Sequence, residues 1–181
     1  MYQGLINVLK ELKKKRIIEN LEVRDLTNDY INLKKYILQA MEFDEAHTCF
    51  DNSYVDSNGY ILLALLNVTY GLFYNGELIG LNTIGNCNYD NSGKVKDIAQ
   101  VINKEYRGIG IGSYFLNQVL ELYKSKYDFS SIHTAARIDN IPSQKTLESY
   151  GFIRYDGYEQ DKYFIDTDNN KIEQIQYILK K

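Results

Sequence analysis

Hydrophobic periodicity is most regular between Ile111 and Tyr123, where Ile111, Phe115, Leu116, Val119, Leu120 and Tyr123 recur at intervals of three and four. That spacing gives a helix one apolar face. Ahead of it, Val95–Ile102 (VKDIAQVI) is β-rich, and Asn103-Lys104-Glu105-Tyr106 leads out of the strand. Behind it, residues 129–137 predict a second strand with Ile132, Thr134 and Ala136 on one side. Asn140 then fits the N-cap of a short helix, Pro142 its first turn and Gly151 its stop. Residues 95–152 are therefore predicted as strand, turn, helix, strand and short helix, and the rest of the chain is organised around them.

Towards the N-terminus, Leu5, Ile6, Leu9 and Leu12 form a helical stripe that ends in Lys13-Lys14-Lys15-Arg16, a basic run that complements the end of a helix dipole. Ile17–Arg24 is predicted as the first strand. Thr27 or Asn28 would cap a helix whose core positions are Ile31, Leu33, Tyr36, Ile37 and Ala40. Residues 41–59 are irregular and acidic (Glu42, Asp44, Glu45, Asp51, Asp56, with His47), and 60–66 are apolar without a decisive period. Asn75-Gly76 between two β-rich runs, Val68–Tyr74 and Glu77–Ile84, predicts a type I′ hairpin. Residues 85–94 are a polar loop. A last hairpin is predicted from Ile153–Ile165, a turn through residues 166–170 and Ile172–Leu179. The spacing of Asp166, Asp168 and Asn170 imitates the start of a calcium loop, but Lys171 replaces its glycine and Tyr177 its bidentate glutamate, so no metal is expected there.

Length adds one constraint: 181 residues make one domain, with residues 1–16 as an amphipathic extension. A net charge of −3 and a pI of about 5.5 give no electrostatic case for nucleic acid. Cys49 and Cys87 show neither metal nor redox spacing and are expected to be reduced and structural. No apolar run has the length of a membrane span and no secretory signal precedes the domain, so a cytoplasmic protein with no membrane partner is expected.

The candidate chemistry is concentrated at Arg107-Gly108-Ile109-Gly110-Ile111-Gly112-Ser113. Alternate glycines at a helix entry let backbone approach a bulky anion, and the unpartnered N–H groups of the first turn receive it. The pattern is not a dinucleotide fingerprint, which needs Gly-x-Gly-x-x-Gly directly after a strand, and no Gly-Lys-Ser/Thr phosphate loop occurs.

On these residues the chain resembles the GNAT superfamily of acyl-coenzyme A-dependent N-acyltransferases. Arg107, Gly110 and Gly112, inside Glu105-Tyr106-Arg107-Gly108, meet the family's cofactor-loop signature of Gln or Arg, two residues, Gly, one residue, Gly or Ala. Asn140, Ser143, Gly151 and Phe152 meet the second motif: Asn, a small residue three later, then Gly-Phe eleven and twelve later. The resemblance implies a mixed α/β fold with a central, mostly antiparallel sheet of six to seven strands flanked by helices. It also implies acetyl-CoA as acyl donor, without a metal. The backbone of Gln100, Val101 and Ile102 would bond the pantetheine arm as a false strand beside a splay in the sheet, often at a bulge. Arg107, Gly108, Ile109, Gly110, Ile111, Gly112 and Ser113 would cradle the pyrophosphate, with Asn140 and Ser143 completing the cofactor site.

The catalytic groups are implied less directly. Many members carry a general-acid tyrosine seven residues after the motif Asn, where this chain has Leu147. Ser143 and Tyr150 are the candidate replacements. Asp97, the one acid in the central strand, is the candidate base. The acceptor is expected to be a primary amine on a protein, a polyamine or an aminoglycoside-like compound, with residues 41–59 as the wall of its site. A homodimer is compatible with the resemblance. A non-catalytic acyl-CoA-binding regulatory module is the alternative that the Leu147 departure keeps open.

Overall fold

The computed structural model describes residues 11–43, 67–165 and 169–181. A helix over residues 11–18 (α1) leads into β1 (Leu21–Asp25), α2 (Tyr30–Phe43) and the hairpin of β2 (Val68–Tyr74) and β3 (Glu77–Asn86). Then come β4 (Val95–Ile102), a 3₁₀ turn at Lys104–Tyr106, α3 (Ile111–Lys126), β5 (Ser131–Arg137) and α4 (Ile141–Tyr150). β6 (Ile153–Arg154), a 3₁₀ turn at Glu159–Lys162, β7 (Tyr163–Ile165) and β8 (Lys171–Lys180) complete the described chain. The strands form one eight-stranded sheet in the order β1-β2-β3-β4-β5-β8-β6, with β7 also on β8. Among the described strands only β4 and β5 run parallel, because α3 connects them as a crossover.

Hydrophobic patterning explains the two layers. All six predicted positions of α3 are buried, and they pack with Leu147 of α4, Phe152 and the sheet residues Tyr70, Leu72, Ile98 and Ile102. On the opposite face, Leu33, Ile37 and Ala40 of α2 cover Phe73, Leu78, Leu81 and Val101. Each fully buried large side chain in these layers contributes about 1.5–3 kcal/mol. Asn75 and Gly76 both take positive φ (51° and 85°), as the type I′ turn requires.

Four expectations need correction. Ile17 and Ile18 end α1 rather than begin a strand. Ile17 is buried in the α3-side core, and Asn20 Nδ2 donates to Arg16 O to close the helix. α2 is capped by Asp29, whose Oδ1 accepts from Asn32 N–H, while Thr27 is engaged with Asp25 and Thr69. Ile31 is 92% exposed, so it is not a core position. The arm after Phe152 is not one strand but two short ones, β6 and β7, which raises the strand count. Tyr155 N–H still bonds Gln176 O, and Gln176 of β8 then accounts for the break: its Oε1 accepts from Tyr158 N–H at 2.7 Å and its Nε2 donates to Tyr158 O at 2.8 Å, in place of a backbone ladder. Residues 41–43 are the last turn of α2. The remainder of the acidic segment, residues 44–59, and turn residues 166–168 lie outside the described residues.

Candidate active site

β4 and β5 pair only from Val95↔Ser131 to Asp97↔His133 and then part. β4 keeps unbroken register with β3 throughout, so the opening comes from divergence of β5 and not from a bulge in β4. A gap between the carboxyl ends of parallel strands is the place where open α/β sheets receive ligands. Asp97 and His133 stand at its closed end, while loop 103–113 and the start of α4 flank its mouth. Ile98 O points into it and accepts from Thr134 Oγ1 at 2.9 Å. Strand alternation puts the backbone groups of Gln100 and Ile102 on that edge and those of Val101 on the β3 side.

The glycine loop at the mouth has the open backbone that its sequence suggests. Gly108 and Gly110 take φ of 76° and 85°, the left-handed region that favours glycine. Gly110 is the N-cap of α3, with no side-chain cap and no acidic residue in the first turn. A Cβ at Gly108 would meet nothing within 4 Å, and one at Gly112 would come no nearer than 3.7 Å, to Gln100 Nε2. Uncapped amides, room above the loop and the positive end of a helix dipole fit a phosphate group. Neighbours hold the loop in place: Gln100 Nε2 donates to Gly112 O at 3.0 Å, and Ser113 Oγ donates to Thr146 Oγ1 of α4 at 3.4 Å. Ile111 is buried beneath it and Ile109 packs against the same core. The Arg107 side chain is committed to backbone carbonyls, one of them on the gap edge of β4. Its Nε donates to Ile102 O at 2.7 Å and its Nη2 to Phe43 O, tying the loop to β4 and α2.

On α4, Asn140 is the N-cap, its Oδ1 accepting from Ser143 N–H at 3.2 Å. Ser143 lies in the first turn, half-buried, and its hydroxyl has no partner among the described residues. Tyr150 is at the other end of the helix. Its hydroxyl accepts from Lys124 Nζ at 2.8 Å and donates to Glu121 Oε1 at 2.9 Å, so the structure separates it from Ser143 and from the cradle. Leu147 is buried in the core.

The closed end holds a network that sequence reasoning missed. Asp97 Oδ1 lies 2.9 Å from His133 Nδ1, and the His133 side chain is 4% exposed. His133 Nε2 is 3.3 Å from Gln176 Oε1 and 3.5 Å from Asp161 Oδ2. The Tyr158 backbone fixes which way the Gln176 amide faces, so an oxygen is presented to Nε2 and the ring hydrogen belongs there. With Nε2 as donor, a neutral ring turns a lone pair at Nδ1 towards the Asp97 carboxylate. A proton between Nδ1 and Asp97 Oδ1 makes their 2.9 Å contact a hydrogen bond, so the pair is a place where a proton can be held. Tyr155 and Tyr158 pack edge-on against the ring, and Tyr89 donates to Asp161 Oδ1. Burial pushes the Asp161 carboxyl up, the Tyr158 phenol to about 12, and the Cys87 thiol up. The Cys87 thiol, an Asp97 oxygen and a His133 nitrogen lie within 4.8 Å of one another, a proximity that their spacing in the chain gave no sign of. Asp97, Ala99 and Val101 alternate onto the α2 side of the sheet, opposite α3.

Comparison with known proteins adds to this geometry. The sequence model of the acetyltransferase (GNAT) family matches residues 25–152, more than half of the chain. No curated protein matches. Among solved structures, a GNAT-family acetyltransferase from Streptococcus pneumoniae is similar at a TM-score of 0.69 and 17% identity, over 89% of this chain and 99% of that one. The ribosomal-protein-S5-alanine acetyltransferase from Vibrio fischeri is similar at 0.67 and 17%, over 89% and 93%. An aminoglycoside acetyltransferase in complex with coenzyme A is similar at 0.58 and 16%, over 89% and 95%. No helix among the described residues is long and apolar enough to cross a membrane.

Proposed function

The chain belongs to the acetyltransferase (GNAT) family, and from that premise we propose that it transfers an acetyl group from acetyl-CoA to a primary amine, directly in a ternary complex. The observation that carries the proposal is the β4–β5 gap with a glycine-lined helix start at its mouth and the Asp97–His133 pair, 2.9 Å apart, at its closed end. We take the chain as one catalytic domain.

Acetyl-CoA supplies an activated acyl group: the amine nitrogen forms a bond to the thioester carbonyl carbon as the carbon–sulfur bond breaks. The protein's residues do the rest. Amides around Gly108, Gly110 and Gly112 hold phosphate, and the edge of β4 at Gln100 and Ile102 guides the arm towards Asp97. An aliphatic amine arrives as an ammonium, with an ordinary pKa of about 10.4, and must lose a proton before it attacks. Asp97 and His133 Nδ1 receive that proton between them, and Gln176 keeps the ring turned for it. The departing sulfur takes the second proton of the amine nitrogen by way of a hydroxyl donor. Ser143 is that donor in this proposal, because its hydroxyl is uncommitted among the described residues, whereas that of Tyr150 is held by Lys124 and Glu121.

The acceptor approaches from the α2 side, past Asp161 and the Tyr89–Tyr158 pair, surroundings suited to a cation. A protein N-terminus or side chain, a polyamine and an aminoglycoside-like compound all satisfy that requirement. A non-catalytic acyl-CoA-binding module is the reading that Leu147 supports, but such a module has no use for a carboxylate–imidazole pair at the closed end of the gap. Release of free thiol from acetyl-CoA, measured with a panel of such amines, tests the proposal. Turnover with at least one amine is expected; acetyl-CoA binding without turnover on any would overturn it in favour of the module.

A further inference from the structure

In the basic run Lys13-Lys14-Lys15-Arg16, only Lys14 is turned inward; the other three are exposed. It lies one turn before Ile17, the residue that packs α1 into the α3-side core. Its side chain ends against the glycine loop: a Cβ at Gly110 would come 3.2 Å from both Lys14 Cε and Nζ. The ammonium therefore lies beside the N-cap of α3, where the helix dipole is already positive and where the first turn contains no acid. Among the described residues no carboxylate or carbonyl side chain engages it, so the ammonium and the helix start meet without an acidic side chain between them. Arg107, the cation that the loop's own sequence supplies, is committed to Ile102 O and Phe43 O.

We propose that Lys14 is a phosphate ligand of the cofactor site, closing the glycine cradle from the N-terminal helix and supplying the positive charge that Arg107 does not. The proposal rests on the cofactor reading above. α1 precedes β1, so it brings to the loop a charge from outside the two motifs. A phosphate between the Gly110–Gly112 amides and Lys14 converts an unfavourable juxtaposition into a charge-assisted contact on both sides. Binding of the cofactor is then linked to the docking of α1 through Ile17.

The test is calorimetric titration of the full chain with acetyl-CoA, 3′-dephospho-coenzyme A and pantetheine, comparing wild type with Lys14→Met, which keeps the aliphatic stem, and with Lys13→Ala as an exposed control. Lys14→Met should weaken acetyl-CoA about tenfold, flatten the salt dependence of its Kd, and leave the phosphate-free pantetheine unaffected. An equal loss for 3′-dephospho-coenzyme A places Lys14 on the diphosphate; a loss confined to acetyl-CoA places it on the 3′-phosphate. Lys13→Ala should bind as wild type. Unchanged or tighter binding by a folded Lys14→Met overturns the proposal, the latter by showing that the ammonium obstructs the loop. A wild type that binds no coenzyme A compound overturns the cofactor reading and this proposal with it, an outcome distinct from a wild type that binds and a variant that binds equally.

Discussion

The cradle at the mouth of the gap comes from one stretch of chain, Arg107 to Ser113, whereas its closed end draws Asp97 from β4, His133 from β5, Gln176 from β8, Tyr158 from a loop and Asp161 from a 3₁₀ turn. The first region works through backbone: left-handed glycines and the uncapped start of a helix, for which side chains matter mainly by being absent. The second works through side chains whose hydrogen-bond roles fix one another, from the Tyr158 backbone to Gln176, then His133, then Asp97. The two are joined by β4, which lends Gln100 to the loop and Asp97 to the network. In the proposed mechanism, holding a cofactor and moving a proton are separable tasks on one strand, and mutations at the two ends should divide cleanly between affinity and rate.

The largest effect is expected at the closed end. Asp97→Asn replaces a proton acceptor by an amide that can donate to His133 Nδ1, so the network stays hydrogen-bonded and the fold is preserved. In the proposed mechanism kcat should fall by about 10²–10⁴-fold, the range of general acid–base contributions, with acetyl-CoA affinity unchanged. Steady-state rates at saturating cosubstrate, paired with calorimetry, check this. A near-normal kcat would remove Asp97 from the chemistry and leave the network a structural one.

The mirror-image experiment is at the mouth. Gly112→Glu sets a carboxylate beside the phosphate site, and acetyl-CoA affinity should drop about tenfold or more while kcat at saturation holds. Gly112 is the better position than Gly110 for two reasons. Its backbone is helical, and an added Cβ meets nothing nearer than 3.7 Å. Gly110 has φ of 85°, so any side chain there is strained, and a glutamate would meet the Lys14 ammonium and be partly neutralised. A folded Gly112→Glu protein with wild-type affinity would mean that phosphate is not bound at this helix start.

The same contrast explains what could be read from the chain in advance. Local devices were legible: the Asn75-Gly76 turn, the apolar face of α3, the Asn140 cap and the left-handed Gly151 stop all depend on neighbours in sequence. The left-handed backbone of Gly108 and Gly110 belongs with them. His133 was not legible, because its partners lie 36 and 43 residues away and an interior strand histidine carries no pattern of its own. Ile17 and Ile18 invited a strand assignment because β-branched pairs favour one, yet packing into the core against α3 kept them helical. Lys14 belonged to a charge run that predicts a solvated helix end, and nothing in the run distinguishes the one member turned inward.

The smallest effects concern the second proton and decide between two hydroxyls on α4. Ser143→Ala should lower kcat about tenfold, at or below the lower end of general-acid effects, because water can reach a half-buried position and substitute in part. Tyr150→Phe should leave kcat unchanged. The phenylalanine ring keeps its place under Lys124, whose Nζ lies 5.0 Å from the ring centroid, and keeps its packing against Phe152. What it loses is the hydroxyl's bonds to Lys124 and Glu121, both solvent-accessible partners, so a stability loss of about 0.5–1 kcal/mol by denaturant titration is expected. If instead Tyr150→Phe slows turnover and Ser143→Ala does not, the far end of α4 must approach the sulfur during the reaction, and the hydroxyl now held by Lys124 and Glu121 would have to let go of both.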